Sequence, residues 1–190
     1  MKGERHIVVG ITGASGIIYA VRLLEELSAA ASTQVSVILT PYAQQVAAVE
    51  LGGSIPIPSK AQLYDLHQMD APFASGSNPP DAMVIIPCTM GTLARIAHGT
   101  SETLLLRAAD VVLKERRKLI LVPREAPLNR IHLQNMLALT DAGGVILPAC
   151  PAFYHRPRTV REVVDSVVGR VLDHLGLSNR LVSPWRESES

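Results

Sequence analysis

The chain has 190 residues, of which 47% are hydrophobic and 18% charged, and its formal net charge is +1 at pH 7. This length favours a single domain over residues 1–190, with its own hydrophobic core and a polar C-terminal tail from about residue 181. The near-neutral charge argues against nucleic-acid binding, and the lack of both an apolar run of ~20 residues and a signal-peptide pattern predicts a cytoplasmic protein with no membrane span.

The predicted strands and helices alternate along the chain. Apolar, β-branched runs predict strands over residues 6–11, 35–39, 82–86, 119–122 and 145–147. Apolar residues at helical spacing predict helices from residue 17 to about 27, up to about 51 after the second strand, and over about 92–97, 104–116, 129–139 and 160–175. Residues 52–80 are rich in Gly, Pro, Ser and Asn, and we expect a loop there with one short helix or strand.

Continuous apolar strands that alternate with helices indicate a parallel sheet covered by helices on both faces. About five such strands favour an α/β fold, a doubly wound three-layer sandwich of the Rossmann or flavodoxin type. Ligands of such folds bind beyond the carboxyl ends of the strands. The residues that follow each predicted strand are therefore the first candidates for a site.

The first three predicted strands end in small and hydroxyl-bearing residues. Gly13, Ala14 and Ser15 lie between a strand and a helix, where free backbone N–H groups and the helix dipole favour a phosphate. The segment is not the GxGxxG pattern, and Thr40 stands where an acidic residue would hold a ribose, which favours a mononucleotide over NAD. A tight structural turn explains the first segment about as well. A second hydroxyl cluster after the third strand strengthens the phosphate interpretation: Thr89, Met90, Gly91 and Thr92.

The stretch from Leu104 to Leu128 places cations within an apolar pattern. Arg107 and Lys114 are separated by two helical turns, so both can point the same way. Arg124 and Glu125 directly follow the fourth strand. Charges at these positions favour a site for an anionic ligand, although a solvated helix with surface ion pairs is the alternative and accounts well for residues 115–118.

Metal chemistry and electron transfer have little support in the sequence. No ligand spacing of the zinc type is present, and Cys88 and Cys150 are predicted to be free thiols. Flavodoxin-like electron carriers sandwich their flavin between aromatic side chains and have acidic surfaces. This chain is 4% aromatic and near neutral, and we expect no aromatic residue in the strand-end loops.

Seven motifs, in unbroken order from the first strand towards Trp185, resemble those of the UbiX/Pad-type flavin prenyltransferases, a family formerly described as aromatic-acid decarboxylases. That family joins a dimethylallyl group to N5 and C6 of reduced FMN, and its product, prenylated FMN, is the cofactor of UbiD-type decarboxylases. The resemblance thus implies a prenyltransferase with dimethylallyl monophosphate as donor and a UbiD-type decarboxylase as recipient, and the residues leave open whether the diphosphate can serve instead. The sequence has no Asp-Asp pair to hold magnesium on a diphosphate, so we expect a metal-independent enzyme. The motifs begin at Ile11, Pro87, Arg107, Leu113, Arg124, His132 and Pro151.

The resemblance also implies a role for each matching residue. FMN would be held by Gly13, Ala14, Ser15, Thr40, Thr89, Met90, Gly91, Thr92 and Arg124. The prenyl phosphate would be bound by Arg107, Lys114, Tyr154 and Arg170, with Trp185 as a further substrate contact. Proton transfer would fall to Glu125 and Glu50, and Ser15 and Lys114 would also act in catalysis. The implied assembly is a homo-oligomer, a dodecamer built from trimers with active sites at subunit contacts.

The chain departs from the family pattern where Thr40 and Thr89 replace the commoner serine, and where Ser101-Glu102-Thr103 replaces an Asp-Asn pair. Two rival interpretations remain open. Flavin-dependent cysteine decarboxylases share the flavin-binding sheet but use an Asn-Met-Pro-type motif, which Asn135-Met136-Leu137 does not match. A non-catalytic FMN-storing subunit would have no need of the cations assigned to the prenyl phosphate.

Overall fold

The computed structural model describes residues 4–183. Its strands are β1 (Arg5–Ile11), β2 (Thr33–Leu39), β3 (Ala61–Tyr64), β4 (Ala82–Cys88), β5 (Lys118–Pro123) and β6 (Val145–Ile146). They form one parallel six-stranded sheet in the order β3-β2-β1-β4-β5-β6. This is the strand order of the Rossmann fold, so the predicted doubly wound α/β architecture is confirmed.

The helices are α1 (Ile17–Ala29), α2 (Pro41–Glu50), α3 (Met90–Ala97), α4 (Leu104–Lys114), α5 (Arg130–Asp141) and α6 (Val160–Leu175), with a 3₁₀ turn at Pro72–Ala74. Most of them begin at a side chain that accepts a hydrogen bond from a backbone N–H three residues later, as N-cap residues do: Thr40, Thr89, Thr103, Asn129 and Thr159. No helix within residues 4–183 is long and apolar enough to cross a membrane.

The main difference from the sequence-based prediction lies in residues 52–80. This segment holds both a strand, β3, and the 3₁₀ turn, rather than one short element. Strand β3 occupies the edge of the sheet and buries only Tyr64, so its sequence has no continuous apolar run. An alternating or a continuous apolar pattern is therefore not expected in the sequence of this strand.

The sheet separates two hydrophobic cores. Alternate residues of a strand point to opposite faces, and Val9 packs in the core covered by α1, α2 and α6, whereas Val8 packs in the core covered by α3, α4 and α5. Helices α4 and α6 consequently lie on opposite sides of the sheet. This separation decides which predicted site residues can meet within one subunit.

The centre of the sheet is its topological switch point. Strands β1 and β4 are neighbours, and the chain leaves β1 towards one face and β4 towards the other. The buried Thr12 joins the two strand ends, because its hydroxyl donates to the Pro87 carbonyl at 2.8 Å and accepts from the Thr89 N–H at 2.8 Å. Open α/β sheets bind their ligands at such a point.

Candidate functional site

A cleft of about 390 Å³ opens at the carboxyl ends of β1, β2 and β4. Its volume lies within the ~300–1,000 Å³ range of small-molecule sites. Five of the residues predicted to hold a cofactor line it, namely Gly13, Thr40, Thr89, Gly91 and Thr92. The hydroxyl-bearing strand ends therefore converge at this cleft, as the sequence predicts.

Two helices begin at this cleft. The Thr40 hydroxyl caps α2 by accepting from the Ala43 N–H at 3.3 Å, and the Thr89 hydroxyl caps α3 by accepting from the Thr92 N–H at 3.2 Å. The first intrahelical bond of α3 is made by the Leu93 N–H and the Thr92 N–H donates to Thr89, so the N–H groups of Met90 and Gly91 are available to a ligand. No atom lies within 4 Å of an ideal Cβ built on Gly91, so space is open beside them.

Gly13 is required by a close approach between the loop after β1 and helix α2. A Cβ at Gly13 would overlap the Cβ of Tyr42 and would lie 2.9 Å from the carbonyl carbon of Tyr42. Any larger residue would force the loop away from α2. The glycine therefore keeps one wall of the cleft in place.

The N-terminus of α1 is already occupied by a side chain of the same chain. The Glu50 carboxylate accepts hydrogen bonds from the Gly16 N–H at 2.9 and 3.0 Å and from the Ile17 N–H at 2.9 Å. Partial burial acts to raise the pKa of Glu50. Hydrogen bonds from Ser15 and from these two N–H groups, with the positive charge of Arg124, outweigh the effect of burial, so the pKa of Glu50 lies below its ordinary value.

The position of the Glu50 carboxylate affects where a phosphate can bind, because the Gly13–Gly16 segment was predicted to hold one. A phosphate at the start of α1 would have to displace or approach an ionised carboxylate, whereas the starts of α2 and α3 face the open cleft. Like charges in contact are unfavourable. The structure thus favours the starts of α2 and α3 as the phosphate position, and leaves Ser15 beside Glu50.

Arg124 and Glu125 lie at the carboxyl end of β5, and both are exposed. The Arg124 Nε donates to the Ser15 carbonyl oxygen at 3.1 Å, so β5 is tied to the loop after β1. The Glu125 Oε1 accepts from the Ala126 N–H at 3.1 Å. Ser15, Glu50 and Arg124 therefore form one group at the carboxyl ends of β1 and β5, with Glu125 next along the chain.

Arg107 and Lys114 lie on one face of α4, as their spacing predicts. The Arg107 Nε donates to the Ala74 carbonyl at 2.9 Å, and the Lys114 ammonium lies so close to Gly76 that a Cβ on Gly76 would collide with it. Each cation also pairs with a nearby carboxylate: Arg107 with Asp110 of the same helix, at 2.8 Å, and Lys114 with Glu115, which follows the helix. Both face the 74–76 segment rather than the cleft at the switch point.

Tyr154 and Arg170 line a second cleft, of about 630 Å³, beside α6. Arg170 is paired with Asp173 at 2.8 Å, and Asp173 in turn accepts a hydrogen bond from the Asn179 side chain at 2.9 Å. Both Tyr154 and Arg170 are exposed. The Tyr154 ring also makes an edge contact with His155, with ring centroids 5.6 Å apart.

The two halves of the predicted phosphate-binding set are therefore separated within one subunit. Arg107 and Lys114 belong to α4, and Tyr154 and Arg170 lie on or beside α6, on the other side of the sheet. The sheet lies between the two pairs. One copy of the chain does not bring these four residues together.

Several residues of the cleft were not anticipated from the sequence. Tyr42, Arg95 and Glu102 line it, so the expectation that the strand-end loops lack an aromatic residue is wrong for Tyr42, which follows Thr40-Pro41 directly. Met90 and Ala14 are buried and do not line the cleft. Trp185 lies outside the described residues.

A doubly wound sheet with a hydroxyl-lined cleft and two helix N-termini at its switch point is typical of proteins that bind phosphorylated ligands. Residues 1–172 match the Flavoprotein family model. The flavin prenyltransferase UbiX of Alkalihalophilus pseudofirmus is 46% identical over 196 residues, covering 97% of this chain and 98% of its relative. The chain belongs to the UbiX flavin prenyltransferase family, as the sequence resemblance implied.

Solved structures agree with this assignment. The crystal structure of AnUbiX (PadA1) in complex with FMN and dimethylallyl pyrophosphate has a TM-score of 0.89 and 38% identity, and the match covers 96% of this chain and 98% of that one. A dodecameric FMN-dependent UbiX-like decarboxylase from Escherichia coli O157:H7 has a TM-score of 0.89 and 40% identity, with 95% and 99% covered. The rival class is more distant, because the FMN-dependent cysteine decarboxylase TvaF, at 21% identity and a TM-score of 0.56 with 76% and 90% covered, shows the fold alone.

Proposed function

We propose that the protein is a metal-independent flavin prenyltransferase that joins a dimethylallyl group, from dimethylallyl monophosphate, to N5 and C6 of reduced FMN. The observation that carries the proposal is the cleft at the switch point, with its hydroxyl groups and two helix N-termini, in a chain whose relatives are flavin prenyltransferases. The neighbour AnUbiX was crystallised with FMN and dimethylallyl pyrophosphate. Prenylated FMN would then serve a UbiD-type decarboxylase in the cytoplasm.

The cleft fits a flavin mononucleotide better than a dinucleotide. Its hydroxyl groups, at Thr40, Thr89 and Thr92, and the backbone N–H groups of Tyr42, Met90 and Gly91 at the starts of α2 and α3 can bind one phosphate. Strand β2 is followed by Thr40 rather than by a ribose-binding acid. Bound reduced FMN supplies the nucleophilic ring atoms. The ring system of FMN would be held by Gly13, Ser15 and Arg124, at the carboxyl ends of β1 and β5.

A site shared between subunits accounts for the separated cations. Arg107 and Lys114 of one subunit, with Tyr154 and Arg170 of another, would surround the prenyl phosphate and stabilise its departure without a metal. The family neighbour from Escherichia coli is dodecameric, which supports an assembly of many subunits. We propose a homo-oligomer of the same kind for this chain, with Trp185 as an additional substrate contact.

Two carboxylates are candidates for proton transfer. Glu125 is exposed directly after β5, and its Oε1 accepts a hydrogen bond from the Ala126 N–H, so its other carboxylate oxygen can accept the proton released in ring closure. Glu50 has a lowered pKa and is held by Gly16 and Ile17, so it is ionised at neutral pH and fixes Ser15 beside it. We assign Glu125 as the base. We assign Glu50 as a second carboxylate that lies beside Ser15.

The mass of the released flavin tests the proposal. Purified protein is incubated anaerobically with reduced FMN and dimethylallyl monophosphate. The flavin is then extracted, and its mass is measured by mass spectrometry. We expect FMN to gain one dimethylallyl unit. Unchanged FMN in the presence of folded, FMN-bound protein would support the FMN-storing alternative instead.

A further inference from the structure

Arg95 and Glu102 face each other at the cleft that we assign to FMN. Among the described residues that line it, Arg95 is the only cation and Glu102 the only carboxylate. Their closest side-chain atoms are 3.8 Å apart, and the two side chains are 55% and 57% exposed. An ion pair this long and this exposed contributes little to stability, so both groups can exchange partners when an anion enters.

The position of Arg95 directs it towards the start of α3. Gly91, Thr92 and Arg95 lie on the same face of this helix, because residues three and four apart are neighbours on a helix surface, and all three line the cleft. The cation therefore stands one turn beyond the first N–H groups of α3. An arginine at this distance can make a charge-assisted contact to a phosphate bound at those groups.

Glu102 lies on the opposite wall. It precedes Thr103, the N-cap of α4, and lines the cleft together with Thr103 and Leu106. Its carboxylate neutralises Arg95 before a ligand binds and repels a phosphate dianion afterwards.

We propose that Arg95 is the side chain that recognises the FMN phosphate and that Glu102 weakens its binding by competing for Arg95. The pair then sets how strongly this chain distinguishes FMN from riboflavin, which lacks the phosphate. This inference rests on the proposed function, because it takes the cleft to be the FMN site. It does not depend on catalysis, since the discrimination is a property of binding.

Titrations of FMN and of riboflavin, followed by flavin fluorescence, test the inference on the oligomeric protein. For Arg95→Gln we expect about tenfold weaker FMN binding, the effect of losing one charge-assisted contact. For Glu102→Gln we expect FMN binding to strengthen by roughly threefold to tenfold. Riboflavin should bind both variants within about twofold of the unsubstituted protein.

A matched control is available at the amino ends of β4 and β5, at the opposite end of the strands from the cleft. Arg117 pairs with Asp81 at 4.0 Å, and their side chains are 47% and 43% exposed, so Arg117→Gln removes the same charge from a comparable pair far from the cleft. FMN should bind this variant as it binds the original protein. Arg95→Lys, which keeps the charge but not the planar fork, should fall between the original protein and Arg95→Gln.

The outcomes separate the inference from the proposed function. If the unsubstituted protein binds no FMN, the proposed function fails first. If FMN binds but Arg95→Gln leaves its affinity unchanged, or weakens FMN and riboflavin equally, the assignment of Arg95 to the phosphate is wrong. Should Arg95→Gln fail to fold, Glu102→Gln decides, because an unchanged or weaker FMN affinity in that variant overturns the competition between Glu102 and the phosphate.

Discussion

Glu50, the last residue of α2, accepts hydrogen bonds from the backbone N–H of Gly16, the N-cap of α1, and from the N–H of Ile17, the first residue of α1. The contact joins two helices through a charge at a helix N-terminus, where a negative group is favoured by the helix dipole. It also places the carboxylate next to Ser15 and Arg124. The Glu50 side chain therefore connects α1 and α2 to the carboxyl ends of the strands, where the proposed chemistry takes place.

Glu50→Gln should lower the free energy of unfolding at pH 7 by about 0.3–1 kcal/mol, because it removes the charge but keeps the shape. The pKa of Glu50 lies below its ordinary value of 4.5 in the folded protein, so its stabilisation is complete above pH 4.5 and is lost as the pH falls through the lowered value. Urea unfolding at a series of pH values should show the two proteins converging in acid. Glu4→Gln, at an exposed position, is the control and should show no such convergence.

Gly13→Ala should destabilise the protein by about 1–3 kcal/mol, because the added Cβ overlaps Tyr42. Adding Tyr42→Gly should recover part of the loss, since it removes the nearer of the two colliding groups. Gly53→Ala is the matched control, with nothing within 4 Å of its ideal Cβ. Equal urea midpoints for the Gly13 and Gly53 variants would show that the loop does not approach α2 as described.

Glu125→Gln should keep FMN bound while prenyl transfer slows by roughly 10²–10⁴-fold, the usual contribution of a general acid–base group. Single-turnover rates with pre-bound reduced FMN measure the chemical step, and FMN titration checks that binding is intact. Near-normal turnover in this variant would make Glu125 structural and would transfer the role to Glu50.

Prenyl transfer should continue in excess EDTA. The sequence has no Asp-Asp pair of the kind that holds magnesium on a diphosphate, and residues 4–183 hold no group of three or more His, Cys, Asp or Glu side chains placed to bind a metal ion. Product formation is measured by flavin mass with and without the chelator. Activity that disappears in EDTA and returns with magnesium would refute stabilisation of the leaving group by cations alone.

Mixed oligomers should show complementation. Lys114→Ala and Arg170→Ala each remove one half of the proposed phosphate site, and the two residues lie on helices on opposite sides of the sheet. Reassembly of the two inactive variants should restore part of the activity, whereas each variant reassembled alone should stay inactive. A monodisperse monomer in light scattering that still prenylates FMN would contradict a shared site.

Much of the fold could be predicted because local signals agreed with the tertiary structure. Helix α6 runs from Val160 to Leu175, as its apolar stripe predicts, and it is bounded by the Thr159 cap and by Gly176, whose φ of 69° suits glycine. Strand β3 was not identified as a strand, because an edge strand with one buried side chain has no apolar run. Its register is set by pairing with β2, which the local sequence does not encode.

The site was predicted in part for a similar reason. Residues at strand ends, such as Thr40 and Thr89, could be found because strand ends converge in a parallel sheet. The hydrogen bonds of Glu50 to Gly16 join residues 34 positions apart, and the Arg95–Glu102 pair depends on how α3 and α4 pack. Neither contact follows from periodicity or spacing.

The opposite placement of α4 and α6 constrains the symmetry of any assembly that completes the proposed phosphate site. Two different faces must meet, one bearing Arg107 and the other bearing Arg170, so the contact is heterologous. A two-fold axis through either patch would instead bring two copies of the same cations together, and their charges would repel. Heterologous contacts that close on themselves form rings, in which every subunit supplies one face and receives the other. The number of complete sites then equals the number of subunits, and any ring opened at one contact loses one site.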